Sequence, residues 1–149
     1  MKTTTLLITF LFSLSVYTLA QVDSNRVIEK TKGTWPYPLR SGILLGPSPH
    51  RYQGKKATFF GNNNDSIFAI CTGKVISIKQ MESVYLIITK YKDFFITYDG
   101  LKIPKLNIGD LIVKGKYIGN LAENQDGEFS LDVYLYKNSD QLDIHLWFK

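Results

Sequence analysis

The sequence predicts an all-β domain, because three observations point to short strands rather than to helices. No segment repeats apolar residues at helical spacing over ten residues. β-Branched and aromatic residues are concentrated in short runs separated by turn residues. Glycines at 109, 115 and 119 interrupt Leu106–Leu121; each would cost a helix about 1 kcal/mol, but each suits a tight turn. We therefore expect a mostly antiparallel, twisted sheet or β-sandwich.

The first twenty residues have the composition of a secretory signal peptide. Lys2 supplies a positive charge, Leu6–Leu14 is apolar, and Thr18-Leu19-Ala20 forms a cleavage site before Gln21. This apolar run is shorter than the roughly 20 residues of a membrane-spanning helix. We expect residues 1–20 to be removed and the protein to be exported to the periplasm or secreted, with no stable membrane span. Retention of the segment as an N-terminal anchor is the alternative.

Residues 21–149 are sufficient for one domain. Without Lys2 they carry 17 basic and 13 acidic residues, a net charge of +4, and the lysines are spread along the chain. This charge suits an envelope protein among anionic polymers, and no motif indicates nucleic-acid binding. The single cysteine, Cys71, cannot form an internal disulfide, and we expect it to be a small buried hydrophobic residue.

The segment before the domain and the start of the domain are distinguished by composition. Residues 21–34 are polar and predict a flexible leader or a short helix, whereas the prolines of Trp35-Pro36-Tyr37-Pro38 favour an extended start of a domain at 35–149. Gly42–Gly46 predicts a strand, followed by a loop that contains His50. The cluster Asn62-Asn63-Asn64-Asp65 predicts a turn.

Successive strands follow from residue 66 onward. The segments that predict them are Ile67–Cys71, Lys74–Lys79, Val84–Thr89, Phe94–Tyr98 and Phe129–Tyr136. The last segment alternates most clearly, because successive side chains of a strand point to opposite faces. One face is apolar: Phe129, Leu131, Val133 and Leu135. We expect Leu131, Val133 and Leu135 to be buried. The other face is polar and aromatic: Ser130, Asp132, Tyr134 and Tyr136.

Several segments, in order, resemble the lysostaphin-type (LytM-like) peptidoglycan endopeptidases, which have the duplicated hybrid motif fold. The similar segments are Trp35-Pro36 with Gly42–Gly46, Ser66–Val75, Leu106–Leu121, and Val133–Ser139 with Asp143–Phe148. No single motif is specific, but their order and spacing match from Trp35 to Phe148. The resemblance implies a LytM-like β domain at 35–149.

Catalysis in that family depends on a zinc ion bound by a His-x-x-x-Asp pair and a late His-x-His strand, with a Tyr-x-His turn nearby. A catalytic zinc needs three protein ligands and a water. The corresponding positions here are Gly54 and Thr58 for the pair, Ser130 and Asp132 for the late strand, and Gly100 for the turn. Only Asp132 could bind zinc. The chain offers two histidines, His50 and His145, which we expect in a loop and in a terminal strand or turn.

The resemblance thus implies a degenerate domain without catalytic residues, metal or cofactor. Its cleft could still bind a glycan or peptide, and the candidate residues are Tyr98, Ser130, Asp132, Tyr134 and Tyr136. Asp132 could pair with a ligand amine or with a neighbouring lysine. We expect a binding or regulatory module of cell-wall remodelling, with peptidoglycan or a wall hydrolase or division protein as its partner.

Three other functions are open at this point. The chain could be an active zinc endopeptidase with atypical ligands, or an unrelated exported β-sandwich that binds a ligand. Lipoyl-carrier-like domains share the glycine-punctuated short strands, but they present a lysine in an Asp-Lys or Met-Lys-Met context that this sequence lacks. The polar face of residues 130–136 could also be only a solvated sheet surface.

Overall fold

The structure is a computed structural model, and it describes residue 28, residues 30–40, the strand at 43–45 and residues 55–149. The expected signal peptide, most of the leader, Gly42, Gly46, His50 and Gly54 lie outside the described residues. The chain divides into two units, Met1–Lys32 and Gly33–Lys149. In the first, the Thr31 N–H donates to the Ile28 carbonyl at 2.9 Å. The β-structure belongs to the second.

Ten strands and one short 3₁₀ helix make up the second unit within the described residues. They are β1 (Ile43–Leu45), β2 (Ala57–Phe60), β3 (Ser66–Phe68), β4 (Gly73–Met81), β5 (Val84–Tyr91), β6 (Phe94–Leu101), β7 (Leu111–Ile112), β8 (Tyr117–Asn120), β9 (Ser130–Lys137), β10 (Asp140–Leu142) and the helix Ile144–Trp147.

The main sheet has eight strands and the second has two. The order in the main sheet is β1-β2-β9-β6-β5-β4-β7, with β10 paired to β9, and the small sheet pairs β3 with β8. Every strand pair is antiparallel. The all-β, mostly antiparallel fold class is therefore confirmed. Among the described residues, no helix is long and apolar enough to cross a membrane.

The core lies against one face of the main sheet. Leu131, Val133 and Leu135 are fully buried, as their alternation in the sequence predicts. Phe129 precedes β9 and is only half-buried. Aromatic residues from both ends of the unit complete this core: Phe59 and Phe148 meet edge to face at 5.2 Å, and Trp35 and Trp147 lie 6.0 Å apart.

The glycine-rich segment Leu106–Leu121 contains two short strands separated by turns, as predicted. Gly109 and Gly115 have φ of 100° and 82° and occupy the turns. Gly119 serves a different purpose, because a Cβ there would lie 2.9 Å from a methyl carbon of Leu101. The expected strand at 67–71 is shorter than predicted: β3 ends at Phe68, since the Ala69 N–H donates to the Lys116 carbonyl instead.

Candidate functional site

The face of the main sheet opposite the core carries an open cleft of about 670 Å³. Its walls come from β4, β5, β6, β9 and the turn after β9. The lining residues are Ile76, Leu86, Ile88, Phe95, Thr97, Asp99, Tyr134, Tyr136, Asn138 and Ser139. Most of these side chains are aliphatic or aromatic, so the cleft is largely apolar.

Strand register arranges the cleft in three rows across β5, β6 and β9. Phe95 pairs with Tyr136 at one end, Thr97 with Tyr134 in the middle, and Asp99 with Asp132 at the other end. From β5, Ile88 lies opposite Thr97 and Leu86 opposite Asp99. The two facing carboxylates make this end acidic, and we call the site around them the acidic end.

Two neighbours hold Asp132 at the acidic end: one is in β2, and the other is the residue that precedes β2. Thr58, its cross-strand partner, donates its hydroxyl to Oδ1 at 2.5 Å. The Lys56 ammonium forms an ion pair with Oδ2, and both side chains are about one-fifth exposed. Asp132 therefore pairs with a neighbouring lysine, one of the two partners expected from the sequence.

Asp99 shares the acidic end, but its surroundings differ from those of Asp132. Burial raises the pKa of the Asp99 carboxyl, the negative charge of Asp132 raises it further, and Lys56 and the Gly100 N–H lower it. Within the described part of the chain, no lysine or arginine lies at ion-pair distance from Asp99. Among the described residues, the acidic end thus contains two carboxylates and one ammonium.

Tyr134 joins the acidic end to the apolar walls. Its hydroxyl lies 3.5 Å from Asp132 Oδ2, and the Lys56 ammonium lies 5.9 Å from its ring centroid. Burial raises the pKa of the Tyr134 hydroxyl, and the charges of Asp132 and Asp99 raise it further. The phenol is therefore neutral at physiological pH and acts as a donor.

The expectation that Tyr98 lines the cleft is wrong. Its side chain is fully buried on the core face, and its hydroxyl accepts a hydrogen bond from the Ile70 N–H at 3.1 Å. Burial raises the pKa of this hydroxyl strongly. Because neighbours on a strand face opposite sides, Asp99 takes the place in the cleft that was assigned to Tyr98.

The remaining expected residues divide between the cleft and its surroundings. Tyr134 and Tyr136 line the cleft. Ser130 lies one row beyond Asp132, opposite Phe60, and its hydroxyl is 3.3 Å from the Asn124 amide. Lys56, Asp99 and the β5 wall belong to the cleft region but are not predicted from the sequence. The signal for Asp99 was its alternation with Tyr98, but β5 is apolar on both faces and gives no comparable signal.

Residues at the positions of the family's metal site do not fit a zinc ion. Thr58 and Asp132 are cross-strand partners, as a shared site requires, but both Asp132 oxygens are engaged by Lys56 and Thr58. A cation of charge +2 would be repelled by the ammonium already there. In the described residues, no three His, Cys, Asp or Glu side chains form a group that could hold a metal.

Gly100, at the turn position of the family's assisting histidine, has a backbone conformation that suits glycine. Gly100 has φ of 116°, a conformation that residues with a Cβ rarely adopt. A Cβ at Gly100 would overlap the carbonyl oxygen of Ser130. The close approach of β6 to β9 therefore depends on glycine at this position.

His145 and Cys71 lie outside the cleft's lining. His145 is in the 3₁₀ helix, and its Nε2 is 2.8 Å from the Lys56 carbonyl oxygen. This contact helps to fix the backbone that presents Lys56. Cys71 is half-buried rather than fully buried, and burial raises the pKa of its thiol. A neutral thiol of this kind is a poor nucleophile.

Solved structures with similar folds identify the architecture. Csd3 of Helicobacter pylori superposes with a TM-score of 0.65 at 16% identity, over 79% of this chain and 34% of that chain. The catalytic domain of the prophage-encoded M23 protein EnpA of Enterococcus faecalis, in a mutant form, gives 0.61 at 16% identity, over 73% of this chain and 93% of that one. Lysostaphin, the antimicrobial peptidase of Staphylococcus simulans, gives 0.57 at 21% identity, over 71% and 48%.

These likenesses show that the domain has the LytM-like fold of M23 peptidases, as the resemblance implied. The fold excludes an unrelated β-sandwich. The chain spans about one-third of the length of the Csd3 chain that it matches. No protein-family model matches the sequence, and neither does any curated protein.

Proposed function

We propose that this protein is an exported, non-catalytic LytM-like module that binds peptidoglycan or a wall hydrolase through its cleft. The observation that carries the proposal is the Lys56–Asp132 ion pair, which lies where the fold's zinc ligands would be. An ammonium there neutralises Asp132 without offering a Lewis acid or a metal-bound water, which hydrolysis in this family requires. The proposal extends to localisation in the bacterial envelope.

Two further features support loss of catalysis. Thr58 stands where the family has a carboxylate ligand, and its hydroxyl is used as a donor to Asp132. Gly100 stands where the family has an assisting histidine, and its backbone conformation excludes a side chain. Because the second change is one of backbone packing, a single substitution would not restore the catalytic set.

The cleft itself supports a binding role. It combines aromatic rings on β6 and β9 with aliphatic side chains on β4 and β5. A cleft lined by both kinds of side chain favours the binding of a small ligand or of an extended polymer. Ile76 is 38% exposed beside these rings, so part of the apolar lining is open to solvent. Net positive charge would assist association with anionic wall polymers.

The non-catalytic part of the proposal is tested by metal content and hydrolysis together. We expect the purified protein, after incubation with zinc and removal of excess, to contain far less than one zinc per chain and to release no muropeptides from sacculi. One bound zinc per chain, with hydrolysis that a chelator abolishes, would instead establish the alternative of an active endopeptidase with atypical ligands.

The binding part is tested with sacculi and with envelope extract. We expect Tyr134→Ala combined with Tyr136→Ala to lose retention on sacculi, or capture of a wall hydrolase, by about tenfold or more, because stacking area is removed from one wall. Tyr117→Ala is the matched control, since Tyr117 is an exposed aromatic residue of β8 outside the cleft. Equal losses in both variants, or none with an unchanged melting temperature, would reject the cleft as the functional surface.

A further inference from the structure

Exposed apolar side chains are concentrated along one edge of the main sheet, the edge formed by β7. Residues 103–117 contain five of the nine large apolar residues that are exposed in the described part of the chain. Single exposed apolar residues are normal, but a contiguous group indicates an interaction surface. Three of the five lie in β7 or directly beside it, and we call them the edge patch: Ile108, Leu111 and Val113, which are 65%, 67% and 55% exposed.

Backbone hydrogen bonds attach the edge patch to β4. The Val75 N–H donates to the Asp110 carbonyl at 2.9 Å, and β7 pairs with the start of β4. Ile112, between Leu111 and Val113, is fully buried. Because successive residues of a strand face opposite sides, Leu111 and Val113 both point away from the core. The exposed aliphatic side chains are therefore carried by backbone that belongs to the main sheet.

Positive charges accompany the edge patch. Residues 102–117 contain one acidic residue, Asp110, and four lysines: Lys102, Lys105, Lys114 and Lys116. The Asp110 carboxylate accepts a hydrogen bond from the Asn107 N–H at 2.9 Å. Among the described residues, no ion pair involves any of the four lysines. Lys74 lies opposite Leu111 in the β4–β7 pair and adds a fifth positive charge.

We propose that the edge patch docks this protein on the surface of a bilayer that contains anionic phospholipids. The aliphatic side chains would enter the boundary between headgroups and acyl chains, and the lysines would pair with the negative headgroups. Both contributions add in peripheral binding. The inference goes beyond the proposed function, because it concerns the β7 edge rather than the cleft.

The composition of this surface favours a lipid surface over a protein or a soluble polymer. Lysine is depleted in protein–protein interfaces, whereas five lysines lie on or beside the segment that carries the edge patch. A soluble polyanion would neutralise the lysines but would leave the aliphatic side chains in water. An anionic bilayer accommodates both kinds of side chain at once.

The edge patch and the acidic end lie in different parts of the main sheet. β4, β5 and β6 separate β7 from β9, so four strand spacings place β7 about 19 Å from β9. Contact with a bilayer through the β7 edge would hold β9 away from the lipid. Substitutions in the edge patch should therefore change membrane binding without changing the acidic end.

Flotation with vesicles tests the proposal. The full chain is used as the cell processes it, so that every variant has the same N-terminus. We expect binding to vesicles of phosphatidylcholine mixed with phosphatidylglycerol to be about tenfold or more stronger than to phosphatidylcholine alone. High salt should weaken this binding, because it screens exposed charges.

Two double variants separate the apolar and the charged contributions. Leu111→Gln with Val113→Gln should weaken binding to the anionic vesicles about tenfold, because it removes aliphatic side chains that enter the bilayer. Lys105→Gln with Lys116→Gln should also weaken it about tenfold or more, since each lysine near an anionic surface contributes about fivefold. Both variants should keep the melting temperature of the parent, because the substituted side chains are exposed.

Met81→Gln and Lys92→Gln are the matched controls, because both side chains are exposed at other places in the sheet, at the end of β4 and in the β5–β6 turn. Both should bind vesicles like the parent. Absence of binding, or equal binding to neutral and anionic vesicles, would overturn the inference. So would unchanged binding of the Leu111/Val113 variant, which would assign the lysines to a soluble polyanion.

Sedimentation distinguishes the remaining occupant. A dimer in solution that the Leu111/Val113 variant dissociates would assign the edge patch to a second copy of this chain and would overturn the lipid assignment. We expect the parent and the variant to sediment alike. Retention on sacculi should be unchanged in this variant, so the outcome for the edge patch is independent of the outcome for the cleft.

Discussion

The two faces of β9 belong to the same eight residues but meet different requirements. Leu131, Val133 and Leu135 are all fully buried in the core. Asp132 and Tyr134 alternate with these residues on the opposite face. There, Asp132 forms an ion pair with a lysine, accepts a hydrogen bond from a threonine hydroxyl and lies opposite a second carboxylate. The core face requires only apolar side chains of suitable volume, and their packing maintains the fold. The cleft face can exchange its chemistry while the strand stays in place.

This difference also applies to the two residues that stand at positions of the family's metal site. The cross-strand pairing of Thr58 with Asp132 is unaffected by which side chains they carry, because backbone hydrogen bonds set the register. The Lys56 ammonium forms an ion pair with Asp132. Under the proposed function, this ammonium stands where the family binds a metal ion.

The largest expected effect comes from placing a charge on the core face of β9. Val133 is fully buried between Ala57 on β2 and Tyr98 on β6. Val133→Asp should lower the free energy of unfolding by about 3–5 kcal/mol, because it leaves an uncompensated buried charge. The variant should be largely unfolded already at the start of a thermal melt. Tyr136→Asp, on the cleft face of the same strand, should cost much less. Similar melting temperatures for the two variants would contradict the assignment of the faces.

How far the sequence predicts this molecule follows from the same division. The strict alternation in β9 predicts its buried face correctly, and the sequence also predicts that a lysine could pair with Asp132. The sequence does not identify that lysine, because Lys56 precedes β2 and only the tertiary pairing of β2 with β9 brings it to Asp132. Leu86 and Ile88 are not predictable as cleft residues, since β5 is apolar on both faces. The resemblance places Tyr98 in the cleft, whereas its alternation with Asp99 places it on the core face, where it is buried.

An intermediate effect is expected where β6 approaches β9 at Gly100. Gly100→Ala combines an unfavourable φ with overlap of the new Cβ and the Ser130 carbonyl oxygen. Gly109 is a matched control: its φ is 100°, and a Cβ there meets nothing within 4 Å. Gly109→Ala should cost about 1–2 kcal/mol from the backbone alone.

Gly100→Ala should exceed the cost of Gly109→Ala by about 2 kcal/mol, since β9 would have to move. Denaturant unfolding of both variants measures this difference. Equal losses would mean that the two strands separate freely at this point. The backbone at Gly100 would then place no restriction on a side chain, which would count against the proposed absence of catalysis.

The smallest expected effect is on the acidic end, and it depends on pH. Asp132 and Tyr134 face Asp99 from β9, Lys56 faces it from beside β2, and its β5 partner Leu86 carries no charge. Burial and the Asp132 charge raise the pKa of Asp99 in the folded protein above the ordinary value of about 4. The folded state then binds more protons than the unfolded state between these two values, so stability falls as pH rises through that window.

Asp99→Asn should therefore raise the melting temperature at pH 7, by an amount equivalent to less than about 1 kcal/mol because the group is partly solvated. The gain should disappear below about pH 4, where Asp99 is protonated in both states. Asp126→Asn is the matched control, because Asp126 is exposed in a turn, and it should leave the melting temperature at pH 7 unchanged. If Asp99→Asn instead destabilised the protein at pH 7, the Asp99 carboxylate would have a stabilising partner in the free protein. The unfavourable charge inferred for Asp99 would then be absent from the acidic end.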